Sequence, residues 1–212
     1  MLRGFLTGDI VKNPNEESWN IADKDLKALS MPFEFAPGNH DLKNYELYTR
    51  RYGPIGRYFF VDDDLFLIPE VQMDGWVIDQ EQISFFNELA AANQGRIENI
   101  FVFVHQVIYM DYMHVTTNSI EGKTDALNFE SEVLPALEKT ERPTYIFAGD
   151  VGAFDWGMPV YHGEKDNITY VASGMGGGVA DNYLIVDVQN DKSVSFRIVS
   201  LTGKDLGEIE NY

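Results

Sequence analysis

The chain contains no cysteine in 212 residues, so neither a disulfide framework nor a thiolate metal site is open to it. That absence fits an oxidising or a reducing compartment equally, and location is unreadable from it. Basic residues are scarce: 16 Lys and Arg face 34 Asp and Glu, a formal charge of -18. Affinity for DNA or RNA comes from Lys and Arg at the phosphates, so this balance argues against nucleic-acid binding. An anionic substrate would also be repelled overall and needs a local cation at its site, for which a bound metal ion is the obvious candidate. No apolar run approaches the roughly 18 residues needed to cross a bilayer, and "MLRGFLTGDI" reaches Asp9 too soon for a signal peptide. Internal repeats, low-complexity tracts and linkers are missing as well. Residues 1–212 therefore read as one domain, and a hydrophobic content of 44% with 13% aromatics makes it globular. Oligomeric state is not legible.

What is present is a series of short apolar runs that end in glycine and polar residues: "RGFLTGD" (3–9), "FEFAPGNHD" (33–41), "NIFVFVHQ" (99–106) and "TYIFAGD" (144–150). Runs this apolar, without clean alternation, suit strands covered on both faces. "RYFFVDDDLFLIPEV" (57–71) reads as a hairpin whose turn holds Asp62, Asp63 and Asp64, in preference to a calcium loop. "IDQEQISFFNELAAANQG" (78–95) reads as a helix. Asp79 would cap it with Gln82 answering, Ile83, Phe86, Leu89 and Ala90 would form one stripe, and Gly95 would stop it. A second helix is expected over much of 127–140, started late or kinked by Pro135. Three strands follow in 168–201, with "SGMGGG" (173–178) as a tight turn. That segment lacks the lysine and spacing of a phosphate-binding loop. Late strands and middle helices indicate a layered α/β or α+β sandwich.

Four of the strand ends carry an isolated polar group: Asp9, the Asn39-His40-Asp41 triplet, His105 and Asp150. Singly, each has a plain structural reading: a Gly-Asp turn, a capping asparagine, a satisfied core histidine. Ligands collect outside the carboxyl ends of strands in α/β sheets, and four such coincidences at four strand ends point to one site. Carboxylate, amide oxygen and imidazole together suit a divalent metal of the Mn, Fe or Zn type. Asn39 would be a neutral ligand and His40 a proton donor beside the metal. Asp41 would reach back to orient the His40 imidazole.

The ordered set "TGDIV", "PGNHD", "FVFVHQ" and "FAGDVG" resembles the calcineurin-like metallophosphoesterases, whose motifs run Asp-x-His, Gly-Asp, Gly-Asn-His-Asp/Glu, a lone His and Gly-His-x-His. The resemblance extends over most of the chain. It implies a four-layer αββα sandwich of two mixed β-sheets flanked by helices. It also implies hydrolysis of phosphate mono- or diesters by a metal-bound hydroxide. By position, Asp9 matches the carboxylate bridging two metals, Asn39 and His105 match ligands of the second metal, and His40 matches the general acid. A small phosphorylated molecule is the implied substrate.

The chain also departs from that pattern. Nothing before Asp9 matches the Asp-x-His strand, so the N-terminal strand reads as missing. Asp150 and Gly152 stand where the last motif has its two histidines. The remaining set of Asp9, Asn39, His105 and Asp150 favours Mn, Mg or Fe over Zn. It predicts one ion at most and impaired phosphoesterase activity. Gln106 follows His105 where relatives often have a second histidine. His114 and His162 read as loop histidines. The alternative expectation is a non-catalytic binding or structural protein that retains the scaffold.

Overall fold

A computed structural model describes residues 2–115, 126–151 and 158–212. In chain order the elements are β1 (Gly4–Leu6), α1 (Glu16–Lys27), β2 (Phe33–Phe35), α2 (Asn39–Leu42), α3 (Tyr45–Tyr52), β3 (Arg57–Val61), β4 (Asp64–Ile68), β5 (Val71–Gln72), β6 (Val77–Ile78), α4 (Gln80–Ala92) and β7 (Ile100–Phe103). After a π-helical turn at Phe129–Val133 come α5 (Leu134–Glu138), β8 (Thr144–Ala148), β9 (Val160–Lys165), β10 (Ile168–Ser173), β11 (Asn182–Val188) and β12 (Val194–Ser200), with a 3-10 turn at Ile209–Asn211.

Six strands form the main sheet in the order β3-β4-β7-β8-β10-β9. Its four central strands run parallel and its two edge strands antiparallel. Successive side chains of a strand point to opposite faces, and β7 shows what that does. Ile100 and Val102 join one core beneath α4 and α5, with Ile83, Phe86, Leu134 and Leu137. Phe101 and Phe103 join a second core, with Phe5 of β1, Phe147 of β8, and Leu184 and Phe196 of the β11–β12 hairpin. The parallel pair β1–β2 and that hairpin therefore make the second β layer. Trp19 of α1 and Leu47 and Tyr48 of α3 pack on its outer side against Phe35 of β2. The result is the expected sandwich of two β layers between helices.

Several local expectations need correction. Asp79 does cap α4, accepting the Gln82 N–H at 2.9 Å, but the Gln82 side chain does not answer it. It bonds both backbone groups of Glu70, at 2.8 and 2.9 Å, which ties the start of α4 to the end of β4. The helix stops at Ala92 with Asn93 as its C-cap, short of Gly95. The acidic triplet splits. Asp62 and Asp63 make the turn, while Asp64 is buried at the start of β4 and accepts hydrogen bonds from Asn99 and Lys192. His162 lies in strand β9, not in a loop, 3.8 Å from Glu164. The first half of 127–140 is a π-helical turn, and Pro135 sits at the start of α5, where its missing N–H costs nothing.

Candidate functional site

Parallel pairing places Asp9 and Asn39 just past the ends of β1 and β2, and His105 and Asp150 just past β7 and β8. Between them the backbones approach very closely. Gly8 is left-handed at φ +88°, and a Cβ there would lie 2.5 Å from His105 Nδ1. Asp9 is also left-handed, at φ 52°, as is Asp150 at φ 64°. Such values are rare outside glycine, and they hold a side chain off the strand direction. A Cβ on Gly38 would overlap the Asp9 carboxylate. Glycine at 8 and at 38 is what lets Asp9 sit between β2 and His105.

His105 is the best-defined donor. Its Nδ1 is 2.7 Å from the Thr7 carbonyl oxygen, which can only accept, so Nδ1 carries the proton. Nε2 is left as the acceptor of the neutral ring. That atom is buried with no hydrogen-bond partner, and it faces Asp9 Oδ1 at 3.6 Å. The separation is too long for a hydrogen bond. It does match two donors of one ion, which at about 2.1 Å from the metal lie about 3–4 Å from each other. Asp9 Oδ1 also accepts the His40 backbone N–H at 2.9 Å, and Asp9 Oδ2 lies 4.0 Å from His40 Nε2. Asn39 is buried and lines the same small cleft as His105 and Gln106, with Trp76 and Met73 opposite.

The site thus assembles Asp9, Asn39, His40 and His105. Among the described residues no three His, Asp or Glu side chains are grouped to hold an ion, so Asp150 does not make a third with Asp9 and His105. Gly152 lies outside the described residues. Nothing described brings His114 or His162 to Asp9; His162 instead packs against Phe196.

Asp41 behaves differently from expectation. It is fully buried, and its two carboxylate oxygens accept the backbone N–H groups of Val11 and Gly38, at 3.1 and 2.9 Å. Burial pushes its carboxyl up, and those N–H groups pull it back in part. Its role is to tie the turn after β1 to the turn after β2. The His40 ring instead turns Nδ1 to two alternative partners: protonated it donates to the Lys12 carbonyl at 3.1 Å, and unprotonated it accepts from Lys43 Nζ at 3.2 Å. Lys43 escaped the sequence reading. The usable signal was its place three residues after His40, one turn along a helix. In "SGMGGG" the N–H groups of Gly176, Gly177 and Gly178 all point to one carboxylate, that of Asp181, at 3.0–3.1 Å. That anion cradle is filled by the chain itself.

No family model and no curated protein matches the sequence. Solved structures do resemble the fold. A dimetal phosphatase from Danio rerio aligns with a TM-score of 0.59 at 13% identity, over 81% of this chain and 72% of that one. GAP50, the anchor in the inner membrane complex of Plasmodium, aligns with a TM-score of 0.62 at 14% identity, over 96% of this chain and 74% of that one. This chain therefore has the mixed α/β sandwich fold of a dimetal phosphatase.

Proposed function

We propose that the chain is a metallophosphoesterase-like protein that holds a single divalent ion and hydrolyses phosphate esters weakly. The observation that carries this reading is the buried, unpartnered Nε2 of His105 aimed at Asp9 Oδ1. A buried imidazole nitrogen and a carboxylate oxygen held face to face, too far apart to hydrogen-bond, suit a cation between them. Asp9, His105 and Asn39 would hold an ion of the Mn, Mg or Fe type, which when bound neutralises phosphoryl oxygens and activates water.

The remaining chemistry belongs to the chain. In its charged form His40 donates Nδ1–H to the Lys12 carbonyl and no longer accepts from Lys43, leaving Nε2–H as the transferable proton on the Asp9 side. Asp41 keeps the two turns in register, so that the His40 N–H stays on Asp9. Lys43 Nζ, 3.2 Å from His40 Nδ1, brings positive charge beside it in an otherwise acidic protein.

A second reading is favoured by the lack of a third acidic or imidazole ligand among the described residues. On that reading the chain is a non-catalytic binding protein, a role parallel to that of the anchor whose fold it resembles. One experiment separates the two. The Mn-loaded protein is assayed on p-nitrophenyl phosphate and bis(p-nitrophenyl) phosphate, beside His40→Ala. Turnover that depends on Mn and on His40 supports the enzyme. Mn binding without turnover supports the binding protein, and turnover unaffected by His40→Ala removes His40 from the mechanism.

A further inference from the structure

Apart from the Asp9 site, the molecule has a larger cleft of about 350 Å³ under α4. It opens between the N-terminal half of α4, the β3–β4–β7 face of the main sheet, and α5. The two clefts adjoin, since Ile55 and Pro69 belong to the walls of both. A volume of this order is at the lower end of what small-molecule sites use, and such sites are mostly apolar with a few placed polar groups. The inner wall fits that description: Leu67, Val102, Phe86 and Leu137 all face it.

The mouth is what selects a ligand. Its charged residues are Arg57, Glu70, Asp79 and Glu81. Arg57 is paired with Glu34 at 3.2 Å. Asp79 is occupied in capping α4. Glu70 takes part in the Gln82 clamp through its backbone alone. The carboxylates of Glu70 and Glu81 have no ion pair among the described residues. Two aromatic rings line the same cleft: Tyr58 and Phe85, both part-exposed to solvent, with centroids 5.0 Å apart. Carboxylates without an ion pair and aromatic rings on the walls of one cleft both favour a cation, by charge and by the ring quadrupole.

We infer that this cleft binds a small apolar amine, its hydrocarbon part against Leu67, Val102, Phe86 and Leu137 and its ammonium group between Glu70, Glu81 and the Tyr58–Phe85 pair. The inference does not depend on the metal site or on phosphoesterase activity.

The test uses three probes of nearly one shape: 4-phenylbutylamine, 4-phenylbutanol and 4-phenylbutyrate, titrated calorimetrically into the full chain. Expected is a dissociation constant on the order of 0.1 mM for the amine, at least about tenfold tighter than for the alcohol, with the carboxylate weakest. Glu70→Gln with Glu81→Gln should bring the amine to within about threefold of the alcohol and leave the alcohol unchanged. Ala136→Phe, which fills the cleft from α5, should weaken amine and alcohol alike. No amine binding at millimolar concentration overturns the inference. So does an alcohol or carboxylate that binds as tightly, or an amine preference that survives the double glutamine variant. Should Ala136→Phe fail to fold, the charge variants, which alter only the mouth, decide.

Discussion

Phe5 stacks on Phe103 with ring centroids 3.8 Å apart and planes within 4° of parallel. The contact ties β1 to β7 two residues before His105 and four residues before Asp9, so the two donors share a common footing. Phe5→Ala should cost about 3 kcal/mol and lower Tm by about 6–12 °C. Phe5→Leu, which keeps apolar bulk but loses the ring, should cost less, about 1–2 kcal/mol. Differential scanning calorimetry measures both, and a loss in Phe5→Leu as large as in Phe5→Ala would show that the aromatic ring itself, not its apolar volume, carries the contact.

Glycine 38 tests the close approach directly. Its φ of -93° is open to alanine, so Gly38→Ala meets no torsional penalty. The new methyl, however, overlaps the Asp9 carboxylate and lies 2.5 Å from the Asp9 backbone nitrogen, at a cost of about 1–3 kcal/mol. The variant should fold and lose Mn affinity by at least about tenfold. Gly53→Ala is the control. It has open space but a φ of +85° with ψ -171°, a conformation essentially reserved for glycine, so it should cost about 1–3 kcal/mol and leave Mn binding alone.

Metal content gives the sharpest check on the site. After loading and desalting, the native chain should retain about one Mn per chain. Asp9→Asn and His105→Gln should each weaken binding at least tenfold, by titration followed through Mn electron resonance. Two tightly held equivalents would refute a single-ion site. Retention unchanged in both variants would place the ion elsewhere.

If His40 Nε2–H protonates the leaving group, the effect of losing it depends on how badly that group needs a proton. His40→Ala should lower kcat for phenyl phosphate about 10²- to 10⁴-fold. It should lower kcat for p-nitrophenyl phosphate less, because nitrophenolate leaves without help. An equal loss on both substrates would assign His40 to binding instead.

Between α1 and α3, Asp23 accepts Tyr52 Oη at 2.7 Å and Arg51 at 2.6 Å. Burial pushes its carboxyl up, but the Tyr52 and Arg51 hydrogen bonds outweigh it, so the group sits below the usual carboxylate range. A depressed folded value adds stability above the unfolded value of about 3.9 and loses it as pH falls through the folded one. Asp23→Asn should therefore lower Tm by about 2–4 °C at pH 7, equivalent to about 1 kcal/mol for a partly exposed pair. The gap should close toward pH 2. Tyr52, pushed up to about 12 by burial and then by Asp23, stays a donor across that range.

Much of the architecture is local in origin and was open to a reading of the chain alone. The apolar runs at β1, β2, β7 and β8, the hairpin of β3 and β4, the Asp79 cap of α4 and the three last strands all follow from residue periodicity and turn chemistry. So does the observation that Asp9, Asn39, His105 and Asp150 each close a strand. The helices α1 and α3 did not show. Their sequences are largely polar, and burial of Trp19 against Tyr48 and Tyr52, edge-on at 5.9 and 5.1 Å, is what holds them. Nor did strand β9, which pairs antiparallel with β10 around His162.

The chain by itself determined which side chains stand at strand ends, because that depends only on neighbours in sequence. Tertiary structure decided which of them meet. Parallel register and the missing Cβ atoms at Gly8 and Gly38 bring Asp9 to His105 across 96 positions of sequence (105 minus 9). The same packing turns Asp41 to the backbone and Lys43 to His40. Contacts between distant segments depend on how layers seat on one another, and no local pattern of residues encodes that.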